Sequence, residues 1–423
     1  MKKTSYWRFM LAINLGIGTS LAPITLLIYG LSQFNIIRLV GKEQATGIFG
    51  VIAGIVSFSI LFLAPCGGYL SDRTRSPLGR RRFWIIFGSI AGAAAMFFLA
   101  NSSTLTQLTL AWIAVKFFYG VVTTNCLALV PEQIDINRFG RVHGIISAVT
   151  PLTIMLTTML FMGYFSNLTV QNKIIIIALT QLVCAITTAL LIETPANAAK
   201  QKITGNVSKA LSQNLYPNFR KYPEFTWALL TKLMINLASA SLIMMPLMLI
   251  SRFNLPEKQV FELSALMSSG TLILISTSLI SGYLSDRIRK QKIFIIISAL
   301  IIGSSMCIFA FGTNLSVIIV GQFILLFGMG IFNAVGGALI NRVLPSQNSY
   351  AKDIAIINTT YHIATSVISF CAPYLISLGI ALMGDDGYTL FFLVFAFFSF
   401  LPICTVLPIP EVGKLLASRN NNA

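Results

Sequence analysis

Three titratable side chains lie inside stretches of the sequence that are otherwise almost wholly apolar. Lys116, Lys232 and His362 have aliphatic, aromatic and hydroxyl neighbours and no carboxylate close by in the sequence. An ammonium or imidazole group can bind an anion or exchange a proton, and an ionisable group in an apolar span is costly to bury. We therefore take these three side chains as candidates for contact with a solute or a coupling ion.

Each of the three has a structural alternative. Lys116 could donate its hydrogen bonds to backbone carbonyls of a neighbouring helix. Lys232 lies about eight residues into its apolar stretch, so its long stem could carry the ammonium to the membrane interface. His362 could be a packing residue that hydrogen-bonds among Thr and Tyr neighbours. The sequence leaves these alternatives open.

Neutral polar side chains recur in the same apolar stretches. Amides and hydroxyls in such positions either bind a polar solute or hydrogen-bond between helices, which is common in helix bundles. The candidates for solute contact are Asn14, Tyr29, Asn125, Asn236, Gln322 and Asn333.

The hexapeptide Gly-Tyr-Leu-Ser-Asp-Arg occurs twice, at residues 68–73 and 282–287, and the copies are 214 residues apart. Each copy follows an apolar run of about twenty residues and precedes a basic run. Val130-Pro131 is matched by Leu344-Pro345 at the same offset of 214 residues. A charged turn that is duplicated between apolar spans is typical of a repeated membrane protein.

Composition agrees with a membrane protein, since 56% of the residues are hydrophobic and only 10% are charged, against about 25% charged in soluble domains. Twelve apolar runs are long enough to cross a bilayer. The sequence therefore predicts an all-α polytopic membrane protein with twelve transmembrane helices in two parallel six-helix pseudo-repeats. The runs lie near 7–34, 45–70, 83–101, 105–130, 142–166 and 172–192, then near 225–250, 259–284, 293–312, 315–344, 354–383 and 388–408. Interfacial turns are expected within 315–344.

The predicted domains are an N-terminal bundle at 1–192, a cytoplasmic linker at 193–223, a C-terminal bundle at 224–408 and a cytoplasmic tail at 409–423. With both termini in the cytoplasm, the cytoplasmic segments collect 23 of the 30 basic residues. Cytoplasmic loops are enriched in Lys and Arg, so the net charge of +17 indicates this orientation in a cell membrane, and not a nucleic-acid partner.

The first hexapeptide begins a longer pattern. The residues of this pattern are Gly68, Leu70, Asp72, Arg73, Gly79, Arg80 and Arg81. They resemble the signature G-x-L-x-D-R-x-G-R-[KR] between spans 2 and 3 of the major facilitator superfamily, with two extra residues before the second glycine. The expanded loop is similar to that of the glycoside-pentoside-hexuronide symporter and sucrose-carrier branches. The second copy keeps Gly282, Leu284, Asp286 and Arg287 but lacks the later glycine.

The resemblance implies that the two motifs form a cytoplasmic gate. Asp72 and Asp286 would accept hydrogen bonds from a helix N-terminus or pair with an arginine of a neighbouring loop. The alternative is that the basic residues bind anionic lipid. The implied gating residues are Gly68, Asp72, Arg73, Gly79 and Arg80 in the first copy and Gly282, Asp286 and Arg287 in the second.

The resemblance further implies a secondary transporter that moves a small solute by alternating access between its two halves. The superfamily often has an arginine in span 4, four residues before a glycine, and Lys116 and Gly120 keep that spacing. The two lysines favour an organic anion, whereas the expanded loop favours a sugar or glycoside. A multidrug or metabolite exporter is an alternative, although Pro151 lacks the glycines of the exporter motif. A membrane sensor or scaffold that retains the fold is the non-transport alternative.

Enzymatic function is not expected. The sequence has no phosphate-binding glycine loop, no Cys/His metal cluster and no large extramembrane domain, and its six cysteines are scattered singly. We expect no cofactor and no metal. The expected partners are a small-molecule substrate, a coupling proton or cation, and membrane lipid, and the chain is expected to be a monomer. No carboxylate falls at mid-membrane, so sodium coupling of the melibiose-carrier type is not expected.

Overall fold

The computed structural model describes residues 4–74, 76–134, 138–193, 222–343 and 350–410. Within these ranges the regular elements are helices and no strand is found. Twelve of the helices are long and apolar enough to cross a membrane, as the sequence predicts. Most of the predicted linker at 193–223 and of the predicted tail at 409–423 lies outside the described residues.

Spans 1 to 6 are numbered in chain order. They are Tyr6–Val40, Lys42–Gly68, Arg80–Ala100, Leu105–Gln133, Arg141–Tyr164 and Val170–Leu191. Span 1 is kinked at Leu27–Leu31, where Tyr29 and Gly30 have non-helical φ and ψ, a few residues after Pro23, which removes a backbone donor from the helix. Span 5 ends in a π-helical turn at Met159–Tyr164.

Spans 7 to 12 follow after the linker. They are Pro223–Phe253, Glu257–Ile288, Gln291–Phe311, Leu315–Ile340, Thr359–Met383 and Tyr388–Thr405. Span 8 consists of two helices, Glu257–Ser268 and Thr271–Ile288. The expectation of turns in span 10 is wrong, because Leu315–Arg342 is one continuous helix. The helix of span 11 begins earlier than the span, at Tyr350.

Both hexapeptides form the last turns of helices. The helix of span 2 runs to Arg73, and the second helix of span 8 runs to Ile288. Arg289 then takes a left-handed conformation with φ of 57°, which ends that helix. The repeated motif therefore lies at corresponding helix ends in the two halves.

The helices group into two compact units. The first contains Met1–Ile203 together with Asn254–Ser268 from the start of span 8. In this unit span 1 packs on spans 4, 5 and 6, span 3 packs on spans 4 and 6, and span 2 packs on span 4. Fully buried residues at the centre include Ile13, Val122 and Val142.

The second unit contains Thr204–Phe253 and Ser269–Ala423. Span 7 packs on spans 10, 11 and 12, span 9 packs on spans 10 and 12, and span 8 packs on span 10. These are the same pairs as in the first unit, shifted by six spans. The pseudo-repeat predicted from the hexapeptide is thus repeated in the helix packing.

An arginine ends the first helix of each half, again 214 residues apart. Arg38 at the end of span 1 donates to the carbonyl of Ser102 at 3.0 Å. Arg252 at the end of span 7 forms a bidentate ion pair with Asp386, in which Nε and Nη2 donate to the two carboxylate oxygens at 2.6 and 2.9 Å. Arg252 also donates to the carbonyl of Phe309 at 2.8 Å. Each arginine therefore satisfies carbonyls at the far end of the third helix in its own half.

Large apolar side chains lie on the outer surface of the spans. Phe98, Leu279 and Val183 are 69%, 68% and 64% exposed, and they belong to spans 3, 8 and 6. Apolar surface of this extent is unfavourable in water but matches the hydrocarbon of a bilayer. The exposed surface therefore agrees with the membrane assignment.

Candidate functional site

Lys116 lies near the middle of span 4 and packs against span 2. Its ammonium nitrogen donates to Ser57 Oγ at 3.3 Å, and only 8% of the residue is exposed. Its partner is therefore a side-chain hydroxyl and not the backbone carbonyl that the sequence left as an alternative. Among the residues that the structure describes, no carboxylate forms an ion pair with Lys116. An ammonium has three donors, so Lys116 retains donor capacity.

Two aromatic residues on the same helix extend this polar face. Trp112 lies four residues before Lys116 and Tyr119 lies three residues after it, so all three lie on neighbouring positions of the helix surface. Trp112 Nε1 and the Tyr119 hydroxyl are buried and have no hydrogen-bond partner in the described part of the chain. Both side chains are fully buried, Trp112 near Phe49 of span 2 and Tyr119 against Gly92 of span 3, so their donors lie inside the first unit.

The two titratable candidates of the second half are less buried. Lys232 in span 7 is half-buried and forms no ion pair with a described residue. His362 in span 11 is also half-buried, and its ring lies edge-on to that of Tyr361 with the centroids 5.9 Å apart. Their role in solute contact stays a prediction.

The amide candidates differ in how far their hydrogen bonds are used within the protein. Asn14 donates to the carbonyl of Met10 in its own helix at 2.8 Å, while its Oδ1 has no partner among the described residues. Asn236 donates to Thr360 Oγ1 at 2.8 Å and so joins spans 7 and 11. The half-buried Gln322 has an Oε1 without a described partner.

The remaining neutral candidates lie in different surroundings. Asn333 in span 10 is exposed. Tyr29 is half-buried and lies at the kink of span 1, with non-helical φ and ψ of −102° and 21°. A break of this kind changes the direction of the side chains that follow it.

The first gating motif is tied to the end of span 4 by arginines. Arg80 donates to Glu132 Oε1 at 2.7 Å, and Arg81 donates to the same oxygen at 3.0 Å. Glu132 lies in the last turn of span 4, directly after Pro131. Both arginines begin span 3, so this carboxylate fixes the start of span 3 to the end of span 4.

A second, buried cluster continues from the same arginine. Arg81 also donates to Ser71 Oγ at 3.0 Å, and the Ser71 hydroxyl donates to Asn125 Oδ1. Asn125 in turn donates to the carbonyl of Val121 at 2.8 Å. Asn125, a sequence candidate for solute contact, therefore accepts hydrogen bonds from Ser71 and Arg81 of the first motif.

The other residues of the first motif occupy the helix end and the turn after it. Gly79 has φ of 86° and precedes the first residue of span 3, where a side chain would be strained. Gly68 is half-buried with open space beside it, and Arg73 is exposed. The side chain of Asp72 lies outside the described residues, so its role stays a prediction.

The second motif makes different contacts. Asp286 and Arg287 are exposed. A Cβ placed on Gly282 would lie 3.6 Å from the Ala334 Cβ. Lys292 at the start of span 9 donates to the carbonyl of Leu407 at 2.6 Å. The first motif is thus fixed to span 4 by an ion pair, whereas the region after the second motif is fixed to the end of span 12.

Five site residues were not among the sequence candidates: Ser57, Ser71, Trp112, Tyr119 and Glu132. Ser57 is a single hydroxyl in an apolar helix, and serine in such helices is too common to mark a site. Ser71 had a signal, since it lies within the repeated hexapeptide. Glu132 carried the best available signal, because it is a lone acid next to the repeated Val-Pro pair at the end of span 4. Its pairing with the arginines depends on how spans 3 and 4 pack, which the sequence does not specify.

The sequence matches the family profile described as Major Facilitator Superfamily over residues 8–313 and again over residues 260–419. The chain belongs to the major facilitator superfamily. Membership in this superfamily identifies a multi-pass membrane protein and a transporter, and not an enzyme. The two overlapping matches also agree with the duplicated halves.

Solved structures of superfamily transporters share the fold. A crystal structure of the nucleoside transporter NupG matches with a TM-score of 0.72 at 15% identity, covering 95% of this chain and 100% of that one. A bacterial homolog of the human lysosomal transporter Spinster, inward-facing and unoccupied, matches with a TM-score of 0.66 at 14% identity, covering 96% and 99%. No curated protein sequence matches significantly. At these identities the likeness shows the fold alone.

Proposed function

We propose that this chain is a secondary transporter for a small organic anion and that it works by alternating access between its two six-helix halves. The observation that carries the choice of substrate class is the buried ammonium of Lys116, which has a hydroxyl partner and no described carboxylate. Superfamily membership supports the transport of a small solute.

The argument for an anion is electrostatic. An ammonium buried in an apolar span is unfavourable unless an opposite charge or several acceptors compensate it. Ser57 supplies one neutral acceptor to Lys116 at 3.3 Å. A carboxylate or phosphate of the solute would supply the missing charge. Binding of the solute would then compensate the buried charge of Lys116.

A glycoside or other neutral polar solute is the second candidate. Its support is the expanded loop at 72–82, which is similar to that of sugar carriers, together with the amide oxygen Asn14 Oδ1, which has no partner among the described residues. That oxygen would accept a hydrogen bond from a sugar hydroxyl. Because a neutral solute would leave the charge of Lys116 uncompensated, the anion is the first candidate.

The gating motifs supply the conformational part of the proposal. We assign the arginine pairs at Glu132 and the cluster of Ser71 and Asn125 to holding the first motif in place in one state of the cycle. Asp72 and Asp286 keep their predicted role in the gate. We assign the termini to the cytoplasm and the protein to the cell membrane on the charge distribution of the sequence, and the monomeric state stays a prediction.

A thermal-shift panel tests the substrate class. The purified protein is heated with organic anions, with sugars and nucleosides, and with hydrophobic cations, each at two pH values. A ligand that binds the folded state at about a hundred times its Kd adds about 2.7 kcal/mol of stability. We expect organic anions to raise the melting temperature. Stabilisation by neutral sugars alone would contradict the anion proposal and favour the second candidate, and stabilisation by hydrophobic cations alone would favour an exporter.

A further inference from the structure

The first helix of span 8 packs with the first half of the protein. Glu257–Ser268 contacts span 5 and its terminal π-helical turn, Met159–Tyr164. Asn254–Ser268 accordingly belongs to the first compact unit, although it comes from the second half of the sequence. The second gating motif lies at the other end of the same span. This helix is therefore a contact between the sequence halves on the membrane side opposite to the gating motifs.

Phe261 is the centre of this contact. It is 1% exposed, and its ring centroid lies 4.7 Å from that of Phe34 in span 1. A methyl group on Gly30 would lie 3.5 Å from the Phe261 ring, so the glycine leaves room for the ring to approach span 1. The Nζ of Lys173 in span 6 lies 3.6 Å from the ring centroid. Phe261 thus fills a socket that two spans of the first half form.

Lys173 is fully buried, which is unusual for a lysine. Its ammonium donates to the carbonyl of Ser166 at 3.1 Å and faces the Phe261 ring. A desolvated cation over an aromatic face is attracted by the ring quadrupole. Next to this pair, the Ser166 hydroxyl donates to Glu262 Oε1 at 3.2 Å. The buried charge of Lys173 is therefore compensated by groups of span 8, the Phe261 ring and the attraction of the Glu257 carboxylate.

The socket is bordered by a kink and a π-helical turn of the first half. The kink at Leu27–Leu31 contains Gly30, and the π-helical turn Met159–Tyr164 contains Gly163. A Cβ placed on Gly163 would lie 3.1 Å from the Ala265 Cβ, so span 8 approaches span 5 closely here. Both irregular segments lie where the first helix of span 8 packs.

We propose that Gly30, Phe34, Lys173 and Phe261 form a latch, the Phe261 latch, which holds the first helix of span 8 against spans 1 and 6. This proposal rests on the proposed function, since the latch would set how readily this helix leaves its socket during alternating access. The cation–π attraction of Lys173 holds the Phe261 ring, and the ring fills the socket. When the ring leaves, Lys173 keeps its bond to Ser166, so the latch can open without unfolding span 6.

The test measures how readily the latched surface opens. Ala265→Cys places a thiol at a position that is 6% exposed, and a membrane-impermeant thiol reagent labels it only when the helix leaves the socket. The chain without this substitution gives the background from its native cysteines. Phe261→Leu and Lys173→Met are each expected to raise the labelling rate about tenfold, which corresponds to 1.4 kcal/mol. Phe261→Tyr keeps an aromatic face and is expected to label at a rate near that of Ala265→Cys alone.

Phe225→Leu is the matched control, because Phe225 is a ring of span 7 that is also 1% exposed. It should leave the labelling rate unchanged. Equal labelling of all variants would overturn the latch, and so would an increase with Phe225→Leu as large as with Phe261→Leu. The assay needs no substrate, so a failure of the latch is distinguishable from a failure of the proposed function, which would appear as absent solute binding and flux.

Discussion

Lys116→Met is expected to weaken the binding of an organic anion by about ten- to 150-fold, which is the effect of losing one charged hydrogen bond of about 1.5–3 kcal/mol. Methionine has a similar length and is apolar, so the buried packing against span 2 is retained while the charge is lost. The same substitution removes an uncompensated buried ammonium, so the ligand-free protein should be equally stable or more stable. The dissociation constant and the melting temperature of the empty protein are the two measurements.

The controls separate charge from position. Lys116→Arg keeps the positive charge and should retain part of the affinity. Lys42→Met removes an exposed lysine at the start of span 2 and should not change anion binding. Unchanged affinity in Lys116→Met would contradict the role of Lys116 in binding. A large loss of stability in the empty protein would indicate that Lys116 is structural.

Arg252→Met is expected to destabilise the folded protein by about 3–5 kcal/mol, because it leaves a largely buried carboxylate without its partner. The side chains of Arg252 and Asp386 are 13% and 14% exposed, and the pair is bidentate. The substitution also removes the donor to the carbonyl of Phe309. Melting temperature in detergent, followed by fluorescence size-exclusion after heating, measures the effect.

The repeat provides the matched control for this prediction. Arg38→Met removes the arginine at the equivalent position of the first half, where the bond is to the carbonyl of Ser102. The loss there should be about 1.5–3 kcal/mol, because one charged hydrogen bond is lost and no carboxylate is left unpaired. If the two variants lost the same stability, the ion pair with Asp386 would contribute nothing beyond the carbonyl contacts.

The sequence was sufficient for the fold because the fold depends on features that are local in the chain. Each span needs a run of about twenty apolar residues, and the hexapeptide marks the same helix end in both halves. The positions of the helix breaks were harder to predict from the sequence. The prolines Pro23 and Pro151 precede the breaks in their helices, but the positions of the breaks were not predicted, since Leu27–Leu31 and Met159–Tyr164 are apolar segments like their neighbours.

The contacts within the site were predicted less well, and the reason is physical. A soluble helix shows which side is buried by its polar face, whereas these spans are apolar on all sides. The sequence could therefore select Lys116 as an unusual residue but could not assign Ser57 as its partner. The same limit applies to Lys173, which was not a sequence candidate, because its contact with Phe261 depends on the docking of span 8.

Counterflow in proteoliposomes tests the central claim most directly. Vesicles that contain the purified protein and a high internal concentration of an unlabelled organic anion from the thermal-shift panel are diluted into the labelled anion. We predict rapid transient accumulation of label with the wild-type chain and with Lys42→Met, and little accumulation with Lys116→Met. Binding of the anion without any counterflow would contradict transport and favour a sensor. Accumulation at equal rates in wild type and Lys116→Met would contradict the assignment of Lys116 as the residue that binds the solute.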